Sequence, residues 1–294
     1  MRLKNVFLSL ILGACLVGSS RGLWAQAPLW VVNADGTNPH QLLDTLTTFR
    51  SFGNPDWSHD GTKLTFDAWE HEADTHVITA ASDGTSPKDL GKGAMPSWSP
   101  DDKQIAFHSY TPRQGVFVMN ADGSGREWLC PGLGPRWSPD GSLIASVGYH
   151  EPTPNIYVFD TIEATQRKLL DFPYKLIALG IAWSPDGKRI AFKAMRPDGQ
   201  EELAIVSAEG STKEFRVRLR GLVGWRPAWS PDGKKLIVAL RKDKDSKEVL
   251  HVMNPDDEEA PVPIPGQSPE LHHRDPSWSP DGKLIVFTKA TATP

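Results

Sequence analysis

Five of the nine histidines, His71, His108, His150, His272 and His273, fall in segments of irregular composition. Imidazoles brought together with carboxylates could hold a divalent metal ion. A metal beside a general base could then acidify and remove a proton. The same segments carry Arg113, Arg196, Arg226 and Arg274. They also carry Trp69, Tyr110, Tyr149 and Trp225. Aromatic rings and guanidinium groups are the usual anchors of a binding surface, so this set could equally hold a protein or a glycan without any chemistry. A third reading treats all of them as scattered, solvated loop residues. His272 and His273 are adjacent, and neighbours on an extended chain point to opposite sides, so one of the two is expected to face inward.

Three short strings resemble catalytic or metal motifs and miss. Residues 71–76 read His-Glu-Ala-Asp-Thr-His. A zincin helix needs its histidines four apart, and these are five apart on a segment that runs into a strand. Residues 18–22 read Gly-Ser-Ser-Arg-Gly, without the strand-turn-helix setting of a nucleophile elbow. The acidic run 256–259 lacks calcium-loop spacing. There is no phosphate-binding glycine loop, dinucleotide fingerprint or cysteine metal pattern, so no cofactor is implied.

The elements that must position the candidates come from a repeat. Trp-Ser-Pro-Asp-Gly stands in full at Trp137, Trp183, Trp229 and Trp278. It is altered at Trp57, where His59 replaces the proline, and at Trp98, where Asp102 replaces the glycine. A spacing of about 40–50 residues is that of propeller blades. Proline presets φ, aspartate bonds nearby backbone and glycine accepts positive φ, so each copy is a tight turn between two strands. The indole is large enough to seal the contact between neighbouring blades. The repeated aspartates are therefore turn residues.

A second repeat alternates with the first: an apolar strand, then a turn such as Asn33-Ala34-Asp35-Gly36 or Asn120-Ala121-Asp122-Gly123. Six hairpins of each kind give an all-β, six-bladed β-propeller of four-stranded antiparallel blades. The first hairpin (29–43) and the last (276–289) each lack a mate. They are expected to share one blade and close the ring. In a propeller the repetitive turns lie on one face and the irregular loops on the other, so the candidate residues are expected on the loop face.

Residues 1–5 are positive and residues 6–18 almost wholly apolar, the pattern of a secretory signal peptide. Cleavage near Ala25 would release residues 28–294 as the propeller. Alternatively, Leu12-Gly13-Ala14-Cys15 resembles a lipobox, with Cys15 lipidated. A lipid on Cys15 would be the sole link to a membrane. Cys130 is then the only other thiol, so no internal disulfide is expected. The net charge of −4 argues against nucleic acid or an acidic membrane as partner.

The Trp-Ser-Pro-Asp-Gly repeats resemble those of the TolB family of six-bladed propellers, over about residues 29–294. The resemblance implies an exported protein that works by binding. TolB itself acts in a periplasmic complex with a peptidoglycan-associated lipoprotein, after an α/β domain. No such domain is read between the signal segment and the first strand here, which leaves the partner open. The leading expectation is a non-catalytic, monomeric propeller that engages an envelope protein or glycan. Some propellers similar to TolB are oligogalacturonate lyases with a histidine-bound metal, and others regulate peptidases. Those are the alternatives.

Overall fold

The computed structural model describes residues 27–43, 46–69, 74–149, 153–169, 171–172, 174–210 and 215–291. The signal segment, Cys15, His71 and His150 lie outside these residues. Every regular element among the described residues is a β-strand.

The chain opens with β1 (Leu29–Asn33) and β2 (His40–Gln41). Blade 1 follows as β3 (Ser51–Trp57), β4 (Lys63–Trp69), β5 (His76–Ala81) and β6 (Lys88–Lys92). Blade 2 is β7 (Ala94–Trp98), β8 (Gln104–Ser109), β9 (Gly115–Asn120) and β10 (Glu127–Cys130). Blade 3 is β11 (Leu133–Trp137), β12 (Leu143–Gly148), β13 (Asn155–Asp160) and β14 (Thr165–Lys168).

Blades 4 and 5 have a divided inner strand. In blade 4, β15 (Leu176–Ile177) and β16 (Ala182–Trp183) both pair with β17 (Arg189–Met195), which continues through β18 (Glu201–Ser207) to β19 (Arg216–Arg220). In blade 5, β20 (Leu222–Val223) and β21 (Ala228–Trp229) pair with β22 (Leu236–Arg241), followed by β23 (Val249–Met253) and β24 (Val262–Pro263). Finally β25 (His272–Trp278) and β26 (Leu284–Ala290) return to the start of the chain. Blade 6 has the order β2-β1-β26-β25, with Leu29 opposite Thr288 and Asn33 opposite Leu284. The first and last hairpins therefore close the ring together.

The turns repeat in chemical detail. In all six copies the serine hydroxyl donates to the aspartate two residues on, at 2.6–2.7 Å. The same oxygen accepts the N–H five residues on, at 2.9 Å. A backbone N–H from two residues further on and the serine hydroxyl together hold the aspartates below the ordinary carboxylate range, Asp60 and Asp281 at about 2.

Packing runs between blades. Phe52, Trp57 and Phe66 of blade 1 meet Leu29, Val31 and Val286 of blade 6. Val77 of blade 1 meets Trp98 and Phe107 of blade 2. Three of the repeat indoles cross to the preceding blade and donate to its inner strand: Trp57 to Ser277 O, Trp183 to Arg136 O and Trp229 to Ala182 O. The apolar seal expected of the tryptophan thus carries a polar stitch as well.

Five interblade junctions share one contact. The proline Cδ of one turn lies 3.6–3.8 Å from where a Cβ on the next blade's turn glycine would sit, as for Pro280 and Gly61 or Pro100 and Gly141. The sixth junction joins the two altered copies. His59 and Asp60 donate their N–H groups to the Asp102 carboxylate at 2.6 and 2.9 Å. Replacing proline restores an N–H, and replacing glycine supplies its acceptor.

Candidate functional site

The inner strands carry their prolines inside the sheet, which proline normally disrupts. The register shifts at each such point: between Gly53 and Asp56, Ala94 and Ser97, Leu133 and Arg136, and Arg274 and Ser277. The residue before the proline takes positive φ, at Asn54, Met95, Gly134 and Asp275. A bulge re-aims the chain without ending pairing. The inner strands therefore begin two to four residues before these prolines, and the last, expected from 276, begins at His272. His272, His273 and Arg274 belong to β25, and His108 to β8, rather than to loops.

The bulges bring polar groups together around the axis. The position before each repeat tryptophan is small in four blades, namely Ser97, Ala182, Ala228 and Ser277, but is Asp56 and Arg136 in the other two. Arg226 donates to Pro55 O at 2.7 Å and pairs with Asp56 at 3.2 Å. Asp56 also accepts the Trp98 N–H at 2.9 Å. The Nη1 of Arg136 donates to Met95 O, Pro96 O and Pro135 O at 2.9–3.1 Å. Burial lowers the Arg136 pKa to about 9, so it stays charged at neutral pH.

Two blade residues support the bulges from behind. Asp67 accepts the Met95 N–H at 2.9 Å and the Asn54 side-chain amide at 3.1 Å. Burial nevertheless pushes its carboxyl up to about 6. His108 accepts the Gly134 N–H at 3.1 Å, and burial lowers its pKa to about 4, so the ring is neutral.

His272 and His273 diverge as adjacent strand residues should. His272 faces Glu248 at 3.3 Å, and Arg274 bonds both Glu248 and His272. Burial opposes this charge on Glu248, but the His272 and Arg274 bonds outweigh it and hold the carboxyl at about 2. His273 packs against Phe287, and burial lowers its pKa to about 4. Both rings are almost fully buried.

The remaining candidates stay near the loop face. Trp225 and Tyr110 are 37% and 49% exposed, the largest exposed aromatics among the described residues. Lys193 lies 5.2 Å from the Trp225 ring and pairs with Glu201 at 3.0 Å. Arg113 stacks 3.3 Å over Trp128. Tyr110 meets His108 edge to face. Tyr149 donates to Ile177 O. Arg196 pairs with Asp198 and Glu202. Trp69 ends β4 and packs over Gly53. The structure thus gathers Arg226, His272 and Arg274 with Asp56, Asp275 and Glu248 near the axis, and leaves Tyr110, Arg113 and Arg196 dispersed. Asp56, Asp67, Arg136 and Glu248 were missed from sequence. For Asp56 and Arg136 the signal was a charge at a repeat position that is otherwise small.

A depression of about 620 Å³ opens on the opposite face, between blades 6 and 1, beside Trp57, His59, Asp83 and Asp281. Among the described residues no group of three or more His, Cys, Asp or Glu side chains is arranged to hold a metal ion.

The fold is a six-bladed β-propeller of TolB type. It is similar to TolB from Acinetobacter baumannii at 18% identity and TM-score 0.71, over 95% of this chain and 72% of that one. It is similar to a putative TolB from Agrobacterium tumefaciens at 20% identity and TM-score 0.72, over 92% of this chain and 99% of that one. An oligogalacturonate lyase from Vibrio parahaemolyticus aligns at 11% identity and TM-score 0.53, over 90% and 96%. No protein-family profile and no curated protein matches the sequence.

Proposed function

We propose that the chain is an exported, non-catalytic binding propeller whose loop face engages a protein or glycan of the bacterial cell envelope. One observation carries the reading: the polar groups best suited to chemistry already serve the scaffold. His108 accepts a bulge N–H, Arg226 bridges Asp56 and a backbone carbonyl, and Arg274 donates both to the Glu248 carboxylate and to His272, which also accepts the Glu248 backbone N–H. A general base or metal ligand must be free to take a proton or an ion. What the loop face offers instead is held aromatic surface at Trp225 and Tyr110. The likeness to TolB supports export and a binding role. Partner capture from envelope extracts tests it. The wild-type chain should retain one discrete component, and Trp225→Ala with Tyr110→Ala should lose it without change in Tm. Retention of nothing by the folded wild type refutes the reading.

The overlap with the lyase favours one second reading, metal-dependent uronate elimination. Oligogalacturonate incubated with the chain and a divalent metal would then yield unsaturated product, read by its ultraviolet absorbance.

A further inference from the structure

The depression on the turn face, between blades 6 and 1, has no part in the loop-face reading. Its volume of about 620 Å³ is that of a small-molecule site. The floor is apolar: Val31 and Trp57 are buried there, and Leu284 is half-buried. The rim carries Asp60 and Asp83 from the two turns of blade 1, and Asp281 from the turn of blade 6. Among the described residues, no lysine or arginine lines it.

The rim is held in place, and it offers acceptors. Ser58 and Thr62 donate to one oxygen of Asp60, and Thr85 donates to one oxygen of Asp83, at 2.6–2.9 Å. Among the described residues, the second oxygen of each carries no hydrogen bond. Lys283 lies 3.1 Å from the second oxygen of Asp281 but outside the lining. The turn bonds hold Asp60 and Asp281 at about 2, and the Thr85 hydroxyl lowers Asp83 as well, so all three are ionised at neutral pH. His40 adds a further acceptor. Its Nδ1 lies 3.2 Å from Asn38 O, which can only accept, so Nδ1 carries the proton and the neutral ring presents Nε2 as a lone pair.

This polarity selects the ligand. Acceptors around an apolar floor suit a cation with several N–H donors on an aliphatic stem. A metal ion does not suit them, because among the described residues no three His, Cys, Asp or Glu side chains are arranged to hold one. Carboxylates that stand apart are matched by positive charges that stand apart. We propose that this cavity binds a free aliphatic oligoamine, with its ammonium groups on the Asp60, Asp83 and Asp281 rim and its methylene segments over Val31, Trp57 and Leu284. The site lies on the face opposite the partner-binding loops and is independent of them.

Isothermal titration calorimetry of the full chain at neutral pH and low salt tests this, with spermidine as the probe. The expected result is one spermidine per chain with a dissociation constant below about 1 mM. Asp60→Asn with Asp83→Asn keeps the acceptor oxygen that each turn uses and removes two charges. It should weaken binding about five- to tenfold. Asp257→Asn with Glu259→Gln removes two charges from blade 5 and should change nothing. Equal weakening by the two double variants would reduce the effect to general charge attraction and overturn the proposal. So would the absence of saturable heat in the millimolar range, or Mg²⁺ binding as tightly as spermidine. Trilysine carries the same ammonium groups on a peptide, and tighter binding of trilysine would overturn the assignment to a free amine. If the Asp60 and Asp83 double variant does not fold, the imidazole proton resonances of the wild type decide. Those of His40 and His59 should shift with spermidine while those of His251 hold still, and the reverse overturns the site.

Discussion

The junction between blades 1 and 2 should behave as a compensated pair of substitutions, and a double-mutant cycle measures it. The perturbations are His59→Pro, Asp102→Gly and both together, each returning a copy of the repeat towards the form found at the other five junctions. Asp102→Gly removes two hydrogen bonds from backbone N–H groups to a carboxylate. Bonds to charged groups contribute about 1.5–3 kcal/mol each, and less where solvent reaches them. The same change relieves a non-glycine residue held at φ 57°, which recovers roughly 1 kcal/mol. The net loss should be about 1–2 kcal/mol. His59→Pro removes one of the two N–H donors and stiffens the unfolded chain, a net change of about 0–1 kcal/mol. The double variant rebuilds the proline–glycine contact of its neighbours and should lie near the wild type. The coupling energy should therefore be about 1 kcal/mol or more, read from urea unfolding midpoints at constant m. Additivity within about 0.5 kcal/mol would show that the two departures are unrelated and refute the compensation argument.

Other outcomes follow from the buried groups. Asp67 has its carboxyl raised from 3.8 to about 6, so the native state holds this proton more tightly than the unfolded chain. Stability from this group is greatest below pH 4 and falls by about 2–3 kcal/mol as pH rises through 6. Subtracting pH-dependent unfolding curves of Asp67→Asn from those of the wild type should isolate that decline, and a flat difference would contradict it. Glu248→Ala leaves Arg274 and His272 buried without their carboxylate and should cost about 3–5 kcal/mol in urea unfolding. A loss below about 1 kcal/mol would mean the group is not buried as described. The Cys130 thiol, pushed up to about 12 by burial, should resist alkylation at pH 8 in the native protein and react at once in denaturant.

The fold was legible because the repeat is a local code. Ser, Pro, Asp and Gly at fixed offsets determine a turn through bonds that span five residues, and the tryptophan then sets the blade spacing. Ring closure was legible from an unmatched hairpin at each end. The axis was harder to read. Its geometry depends on bulges in which a residue such as Asn54 or Asp275 takes positive φ before a proline, a combination that sequence pattern assigns to the end of a strand. The inner strands consequently run further than expected and carry His272, His273 and Arg274 into the sheet. The partners of these residues are also remote in sequence: Arg226 meets Pro55 and Asp56 across 170 residues or more. Nothing short-range marks such a pair, although the charges at positions 56 and 136, where other repeats are small, were a readable anomaly.

The most direct test of a binding propeller with structurally committed histidines is the metal content of the chain, purified without chelator and measured by mass spectrometry. The account predicts no transition metal near one equivalent per chain. One bound equivalent, lost on substituting His108 or His272, would contradict it and make the uronate lyase the working reading.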